Sequence, residues 1–366
     1  MIPTTARVAA STPSAIWLVA EREIGAKLRS KAFLIGTGIL LALALAGVLF
    51  GGFAGKSAGQ TAVAVTAETA EVVQGVDLID PTEVADRAAA EELVRSGDVE
   101  AALVPSDDGP FGYTILALEE APRTLAMMLS QSPEVEILEP QTTDPMIRYF
   151  IALGFGLVFL IAASTFGGTI AQSVVEEKQT RVVELLISAI PTRALLAGKI
   201  VGNTVLAMGQ IVLLAAIAVV GLIVTGQNEL LAGIGGPVVW FAVFFGLGFV
   251  LLAALFAAAA AMVSRQEDIG ATTMPITMLV MAPYMLVIFF NDNPLVLTIM
   301  SYVPFSAPVG MPMRLFVGEA QWWEPLVSIV VLLLSCVAAI LVAAKIYENS
   351  LLRMGARVKL REALRG

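Results

Sequence analysis

Seven stretches without a charged residue dominate the pattern of apolar and polar positions along the chain. Each provides the roughly 20 residues that a helix needs to cross the apolar core of a bilayer. One charge at mid-membrane costs about 2.5–3.5 kcal/mol, so the absence of charge over such lengths indicates a membrane environment. The stretches are Ala32–Gly55, Tyr149–Val175, Ile200–Asn228, Leu230–Ser264, Ile269–Asn291, Asn293–Met313 and Pro325–Ala344.

The stretch 293–313 differs from the other six in its prolines. It contains Pro294, Pro304, Pro308 and Pro312. Each proline removes a backbone donor, and repeated prolines interrupt the hydrogen-bond ladder that a lipid-exposed helix requires. We therefore predict six transmembrane helices, with a loop or re-entrant element at 293–313 that packs against protein near the outer surface.

Basic residues predict the orientation of these helices. With six spans and a cytoplasmic N-terminus, the inner segments contain 16 of the 22 Lys and Arg residues, as the positive-inside rule requires. A seventh span would place the basic C-terminal tail outside. We expect a multi-pass protein of the plasma (inner) membrane with both termini in the cytoplasm. The inner segments are 1–31, 176–199, 264–268 and 345–366.

Composition narrows the chemistry further. The hydrophobic fraction is 57%, the charged fraction 14% and histidine is absent, which removes the commonest metal ligand and general base. The single cysteine, Cys336, excludes an intrachain disulfide. Residues 50–57 resemble a phosphate-binding loop, but Phe50 replaces its first glycine and no strand precedes it. We expect no catalytic residue, metal or cofactor in this chain, and no nucleic-acid partner.

The segment 56–145 is the one region with the composition of a soluble domain. It holds 18 acidic and 4 basic residues, a net charge of −14 against −9 for the whole chain. We predict a small extracytoplasmic α/β domain between the first and second transmembrane helices. The predicted strands are Thr61–Thr66, Ala101–Val104, Tyr113–Leu118 and Val135–Leu138, and the predicted helices run from Asp80-Pro81 to Ser96, ending at Gly97, and over Pro122–Leu129.

These patterns predict an all-α polytopic membrane protein with six transmembrane helices plus that α/β domain. The five parts in order are an N-terminal interfacial helix at 1–31, transmembrane helix one at 32–55, the extracytoplasmic domain at 56–145, transmembrane helices two to six at 146–347 and a basic cytoplasmic tail at 348–366.

The clearest local motif lies between the second and third spans, where we predict a helix over 174–190. Glu177, Arg181 and Glu184 lie at i, i+4 and i+7, so they share one face and form ion pairs. Apolar residues project from another face, and Pro191 ends the helix. Such an amphipathic helix just inside the membrane either docks a cytosolic partner or rests on the lipid surface.

This motif resembles the cytoplasmic coupling helix of the type-2 ABC-transporter permeases, and within them the sodium-export permease-like branch. The matching residues are Glu176-Glu177-Lys178, Arg181, Glu184-Leu185-Leu186, Ser188, Pro191 and Gly198-Lys199.

Two further features extend the resemblance over essentially the whole chain. Ala20-Glu21-Arg22-Glu23, followed by Arg29-Ser30-Lys31, is similar to the interfacial helix of that family. The architecture also resembles the family: one span, an outer domain, and five spans with a proline-rich outer segment before the last.

The resemblance implies a function and its partners. Two permease subunits, identical or different, would pair in the bilayer, and each would dock a separate cytosolic ATPase that carries ATP and Mg. Glu177, Arg181 and Glu184 would be the polar contacts, and Leu185 and Leu186 the apolar anchors. The chain would then be the membrane subunit of an exporter.

The substrate is less defined by the sequence. The branch suggests sodium, yet none of the six spans contains a carboxylate, which an ion pathway usually shows. Asn203 and Gln210 share a face of the third span, and Thr273 and Thr277 share a face of the fifth. These four residues are candidates for a substrate path and equally for polar contacts between helices. A drug, lipid or peptide substrate suits such a lining as well as sodium does.

Two other classes of protein remain open on the sequence. A membrane receptor or mechanical relay would use the acidic outer domain to bind a partner, although it would not need five further spans. A secondary transporter would show inverted repeats and ionisable residues within its spans.

Overall fold

The computed structural model describes residues 11–57, 61–73, 79–106, 111–118, 125, 129, 145–180, 182–351, 353 and 358–365. The chain forms two compact units, one of residues 1–46 with 141–366 and one of residues 47–140. We call the first the membrane unit and the second the sheet unit. The elements in chain order are α1 (Thr12–Leu28), α2 (Lys31–Ser57), β1 (Thr61–Thr66), α3 (Ala70–Val73), β2 (Ile79–Val84), α4 (Arg87–Ser96), β3 (Ala101–Pro105), β4 (Tyr113–Leu116), α5 (Pro145–Gln179), α6 (Val182–Ala189), α7 (Thr192–Val224), α8 (Asn228–Ala261), α9 (Ile269–Phe289), α10 (Pro294–Tyr302), α11 (Ala307–Phe316), α12 (Glu324–Ser350) and α13 (Leu360–Arg365).

Within the described ranges, six helices are long and apolar enough to cross a membrane. They are α2, α5, α7, α8, α9 with the 3-10 turn that precedes it, and α12. Each overlaps most of one of the six stretches in which the sequence predicts a span, so the predicted number of candidate spans is confirmed, and three of the helices end two to four residues before the predicted stretch does. The orientation of these helices across the membrane stays a prediction.

The proline-rich stretch 293–313 contains two short helices, α10 and α11. The predicted loop is therefore wrong. A proline in the first turn of a helix does not disrupt it, because the N–H group that proline lacks would have no intrahelical partner there. Pro294 is the first residue of α10, and the Asn293 side chain accepts the next two backbone N–H groups at 3.1 and 3.2 Å. Pro308 is the second residue of α11, while Pro312 lies inside it. A re-entrant position near the outer surface stays a prediction.

Helix α8 is the centre of the membrane unit and packs against α5, α7, α11 and α12. Phe241, Phe245 and Phe249 recur at the four-residue spacing that places side chains on one face of a helix. Each contacts a phenylalanine of α5, at ring-centroid distances of 4.7, 5.8 and 6.0 Å. The C-terminal turns of α8 are the buried alanines Ala257–Ala261, which allow neighbouring helices to approach closely.

The sheet unit contains a four-stranded mixed sheet in the order β2-β1-β3-β4. Strand β1 pairs in parallel with β2 and β3, and β3 pairs antiparallel with β4. The structure has β1 with the predicted bounds, β3 one residue longer, at Pro105, and β4 shorter than predicted, at Leu116. Only Leu125 and Leu129 of the helix predicted at 122–129 are described, and the strand predicted at 135–138 lies outside the described residues.

One prediction in the sheet unit is wrong. Asp80-Pro81 does not open a helix but lies in β2, an edge strand among those described, and edge strands tolerate proline because part of their N–H groups have no partner strand. The helix begins later, where the Asp86 carboxylate accepts the Ala89 N–H at 2.9 Å. Gly97 ends it with φ of +79°, as the sequence predicts.

Candidate coupling site

The predicted coupling stretch 174–190 is divided between two helices, which corrects the single helix expected from the sequence. Helix α5 ends at Gln179 and α6 begins at Val182. The Thr180 hydroxyl donates back to the Glu176 carbonyl at 2.8 Å, and β-branched residues around the break have low helix propensity. Glu177 and Glu184 therefore belong to different helices. Arg181, the third residue of the predicted polar face, lies outside the described residues.

Helix α6 exposes part of the predicted docking surface. Leu185 is 73% exposed, and Glu184 beside it is also exposed. Leu186 is partly buried and packs against the core of the membrane unit, while Val183 is fully buried. The exposed side chains of α6 thus combine the Glu184 carboxylate with the apolar Val182 and Leu185, and the inward face fixes the helix to the bundle.

The residues at the end of α5 have different surroundings. Glu176 is exposed, and its carboxylate accepts a hydrogen bond from the Gln266 amide at 3.4 Å. Lys178 is fully buried and donates to the backbone carbonyls of Ala261 and Ser350 at 2.8 and 3.0 Å. These carbonyls belong to the last residues of α8 and α12, where a cation is favoured by the helix dipole. Lys178 therefore lies in the interior, joining three helices.

Pro191 connects α6 to α7. It occupies the position before the first residue of α7, where its lack of an N–H costs nothing. Its carbonyl accepts the backbone N–H groups of Ala194 and Leu195 at 2.8 and 3.1 Å. The chain therefore turns from α6 into α7 within a few residues, and the two helices are directly linked.

A group of charges that is buried except for the half-exposed Arg22 lies beside this turn, and we call Arg22, Glu23, Ser173, Glu177 and Lys199 the Lys199 cluster. The Lys199 ammonium is fully buried and lies 2.9 Å from Glu23 Oε1, 2.5 Å from Ser173 Oγ and 3.0 Å from Glu177 Oε2. The Arg22 guanidinium contacts both Glu23, at 3.1 Å, and Glu177. The cluster joins α1, the end of α5 and the start of α7.

The charges of the Lys199 cluster compensate one another, two cations against two carboxylates. Burial alone would raise the pKa of Glu23, but Lys199 and Arg22 outweigh it and hold that pKa below its ordinary value. Burial would lower the pKa of Arg22, and the two carboxylates outweigh it and raise that pKa. Glu23 and Arg22 are thus held in their charged forms, and losing one partner would leave a buried charge without compensation.

Small residues bring α1 and α7 into backbone contact next to the cluster. A Cβ atom on Gly198 would lie 2.4 Å from Val19 Cβ and 2.8 Å from the Ile16 carbonyl oxygen. A Cβ on Gly202 would lie 2.9 Å from the carbonyl oxygen of Ala20. Two glycines at this spacing form the flat face that lets helices pack closely in membranes. Only glycine fits at these positions without moving α1.

The predicted interfacial residues do not share one environment. Glu21, Arg29 and Lys31 are exposed, and Arg22 is half-exposed. Glu23 is buried on the face of α1 that packs against α7. Four of these side chains are thus exposed or half-exposed, while the fifth packs inside the bundle, and an interfacial role for α1 stays a prediction.

The four residues considered for a substrate path mostly bond within their own helices. The Asn203 amide donates to the Lys199 carbonyl at 2.9 Å, and Gln210 is buried. Thr273 donates to the Ile269 carbonyl at 2.9 Å, and Thr277 to the Thr273 carbonyl at 3.3 Å. Hydroxyls satisfied in this way serve the helix that carries them. Their role in a substrate path stays a prediction.

The sequence reasoning missed the pairing of Glu23 with Lys199. One signal was present: Ala15, Val19, Ala20 and Glu23 form a single stripe on α1, so an acidic residue continues an apolar face. A carboxylate in that position requires a buried partner. Lys199, between two glycines of a close-packing face, is the basic residue that meets it.

A second buried charge cluster lies at the opposite end of the membrane unit, and we call Arg148, Ser301, Tyr302, Arg314, Glu319 and Glu324 the Arg314 cluster. Arg314 binds both carboxylate oxygens of Glu324 at 2.9 and 3.1 Å and donates to Ser301 Oγ at 3.2 Å. Glu324 also accepts the Tyr302 hydroxyl at 3.0 Å. Arg148, near the start of α5, lies 3.4 Å from Glu319. Helix α5 therefore contributes to a charge cluster near each of its ends.

Comparison with known proteins gives a family and two uncharacterized relatives. Residues 31–345 match the family described as ABC-2 family transporter protein. The uncharacterized protein YhaP of Bacillus subtilis (strain 168) is 29% identical over 219 residues, 56% of this chain and 52% of its own length. The uncharacterized protein MJ1024 of Methanocaldococcus jannaschii is 25% identical over 224 residues, 61% and 55% of the two lengths. The chain thus spans about half the length of these curated relatives. No solved structure matches.

Proposed function

Since the chain belongs to the ABC-2 family of transporter proteins, we propose that it is the membrane permease subunit of an ATP-binding-cassette exporter whose ATP hydrolysis takes place on a separate cytosolic ATPase. The observation that supports this proposal is α6, an 8-residue helix between two membrane-spanning helices. It offers a short exposed surface that is fixed to the bundle from behind.

The outward face of α6 suits a protein partner. Leu185 supplies an apolar side chain for a groove, and Glu184 supplies a charge that sets its orientation. The buried Val183 and the turn at Pro191 connect this face to α5 and α7. Movement of a docked ATPase would thus be passed to two membrane-spanning helices. ATP and Mg bind to the ATPase subunit in this scheme.

The exported substrate is better matched by an amphipathic molecule than by sodium. Among the described residues, the buried acidic side chains are Glu23 and Glu324, and both are paired with basic residues at the ends of the bundle. A sodium pathway would need free carboxylate or carbonyl oxygens along the spans. We therefore favour a drug, a lipid or a peptide, and the sodium-export branch stays a prediction of the resemblance.

The assembly that we propose is the one that the family resemblance implies. Two permease subunits pair in the plasma membrane, each with one ATPase. The cytoplasmic side carries both termini and α6, and the acidic sheet unit lies on the other side. The strong bias of Lys and Arg toward the segments on the α6 side supports this orientation.

The test is purification of the chain in mild detergent from its native membrane, with identification of co-eluting proteins and an ATPase assay. We expect a stoichiometric cytosolic ATPase, with hydrolysis absent from the isolated chain. Elution of the chain alone, from membranes where such ATPases are intact, would favour the relay or secondary-transporter interpretation.

A matched pair of variants locates the docking surface. Glu184→Lys combined with Leu185→Asp should abolish co-elution of the ATPase while membrane insertion is unchanged. Glu267→Lys changes an exposed carboxylate in the turn before α9 and should leave co-elution intact. Unchanged co-elution of the α6 variant would instead place α6 on the lipid surface.

A further inference from the structure

The first membrane-spanning helix is loosely attached to the rest of the membrane unit. No residue between Lys31 and Ala46 is buried. Phe33 meets Phe166 of α5 edge to face at a centroid distance of 5.8 Å, and a few other side chains of α2 touch the bundle from one edge. Van der Waals contacts along one edge of a helix transmit its displacement weakly, because the interaction energy of each contact is small. The firm connection of α2 to the bundle must lie elsewhere.

Helix α1 provides that connection. It ends at Leu28 and continues into α2 at Lys31 after a short turn. Along its length it is fixed to α7 by the backbone contacts at Gly198 and Gly202. Near its middle Glu23 reaches the buried ammonium of Lys199. A displacement of α7 therefore carries α1 with it, and α1 is joined covalently to α2.

The Lys199 cluster also includes the end of α5. Glu177 contacts both Arg22 of α1 and Lys199 of α7, and Ser173 adds a second side chain from α5. The α5–α6–α7 hairpin is thus closed at its base by one lysine. Separating any of the three helices would part buried opposite charges, which costs far more than parting surface charges.

We propose that Lys199 is a positioning residue that makes α1, the end of α5 and the start of α7 move as one body, so that movement imposed on α6 reaches the first membrane-spanning helix through α1. This inference rests on the proposed function for the origin of the movement at α6. Whether the three helix ends move as one body does not depend on the ATPase, so this part of the proposal is measured without it.

Distances between spin labels in the full chain test the proposal. Labels replace the exposed residues Glu21 on α1, Ser188 on α6 and, as a reference, Lys345 on α12, in a Cys336→Ser background. In the chain without nucleotide, the Glu21–Ser188 distance should be narrowly distributed. In the permease–ATPase complex trapped with MgATP and orthovanadate, that distance should be unchanged, while the distances of both sites to Lys345 shift together.

Lys199→Met should broaden the Glu21–Ser188 distribution and remove the shift of Glu21 relative to Lys345, while Ser188 still shifts and the ATPase still co-elutes. Arg193→Met is the matched control, because it removes an exposed ion pair with Glu348 from the same helix. It should behave as the unaltered chain.

The outcomes separate this inference from the proposed function. An unchanged narrow distribution in Lys199→Met, with Glu21 still shifting, would overturn the role of Lys199. If Lys199→Met does not fold, Glu177→Gln gives a second test, because it removes the α5 carboxylate that faces both Lys199 and Arg22 and should broaden the same distribution. Absence of an ATPase partner would overturn the proposed function, and the nucleotide-free distances would then still decide whether the three helix ends form one body.

Discussion

The charge clusters near the two ends of α5 differ in how far apart in the sequence the residues of their central ion pairs lie. In the Arg314 cluster, Arg314 and Glu324 are separated by 10 residues, and the Ser301 and Tyr302 contacts by 13 and 22, while one outer pair, Arg148 with Glu319, spans 171 residues. In the Lys199 cluster, Lys199 and Glu23 are separated by 176 residues. A central pair that is local in the sequence shapes one segment of the chain, whereas a long-range central pair joins helices that form independently. The first therefore serves mainly the fold, and the second is suited to transmit movement.

The comparison extends to the way each cluster is packed. Arg314 fixes the α10–α11 pair to the first turn of α12, a connection that the short chain between them already favours. The Glu23–Lys199 pair has no such covalent support, and it is reinforced by the glycine contacts between α1 and α7. Four expected outcomes test this difference, from the largest effect to the smallest.

Arg314→Met should give the largest loss of stability. It leaves the Glu324 carboxylate buried without its cation, and breaking a buried pair in this way costs about 3–5 kcal/mol of unfolding free energy. Chemical unfolding in detergent micelles, followed by tryptophan fluorescence, measures the loss. Arg314→Lys keeps the charge but not the bidentate contact with Glu324, so it should lose less unfolding free energy than Arg314→Met. A loss below about 1 kcal/mol in Arg314→Met would contradict the importance of this cluster.

Gly202→Ala should come next. The added Cβ would meet the Ala20 carbonyl oxygen at 2.9 Å, so α1 must move away from α7. Overpacking of this kind costs about 1–3 kcal/mol. Gly209→Ala is the matched control on the same helix, where an added Cβ meets nothing within 4 Å, and the higher helix propensity of alanine should stabilise it slightly. Equal unfolding temperatures for the two variants would contradict the close α1–α7 contact.

Glu23→Gln should change how stability depends on acidity. The pKa of Glu23 is held below its ordinary value of 4.5, so its contribution is fully present above that pH and is lost as the pH falls through the lowered pKa. The groups that face it are Lys199, Arg22 and Glu177. Unfolding temperatures measured from pH 7 downward should fall more steeply below about pH 4.5 for the unaltered chain than for Glu23→Gln. If the unfolding temperatures of the two proteins fell in parallel as the pH is lowered, the ion pairs of Glu23 would contribute nothing to stability.

Arg193→Met should have the smallest effect. Arg193 and Glu348 form an exposed pair at 2.7 Å between α7 and α12. Solvent screens such a pair, and holding two long side chains in place opposes its formation. The unfolding temperature should match that of the unaltered chain within error. A loss of stability comparable to that of Arg314→Met would show that this exposed ion pair contributes as much as the buried one.

Much of the fold could be predicted from local patterns in the sequence. The absence of charge over the length of a bilayer located the six long helices, because a charge within lipid is too costly for alternatives to compete. Alternation predicted β1, and Gly97 predicted the end of α4, because few residues other than glycine adopt a positive φ there. Of the docking residues that the resemblance implied, Glu184 and Leu185 are exposed and Leu186 is partly buried, and their docking role stays a prediction.

The failures came where long-range partners decide the outcome. The local sequence at Asp80-Pro81 predicts a helix start, but pairing with β1 places these residues in a strand. The local sequence around Lys178 predicts a polar motif at the surface, but Lys178 is buried and donates to two carbonyls at the ends of α8 and α12, which no local pattern predicts. Sequence periodicity records which face of a helix is buried, not what it is buried against.

The sequence by itself thus determined where the six helices long and apolar enough to cross a membrane lie and that a separate acidic unit accompanies them, because both follow from the cost of placing charge in lipid or apolar surface in water. Only the tertiary structure decided that Glu23, Glu177 and Lys199 meet. Their pairing depends on three helices arriving at one place from distant parts of the chain. Each charge is tolerated in the interior because the other two helices supply its partners.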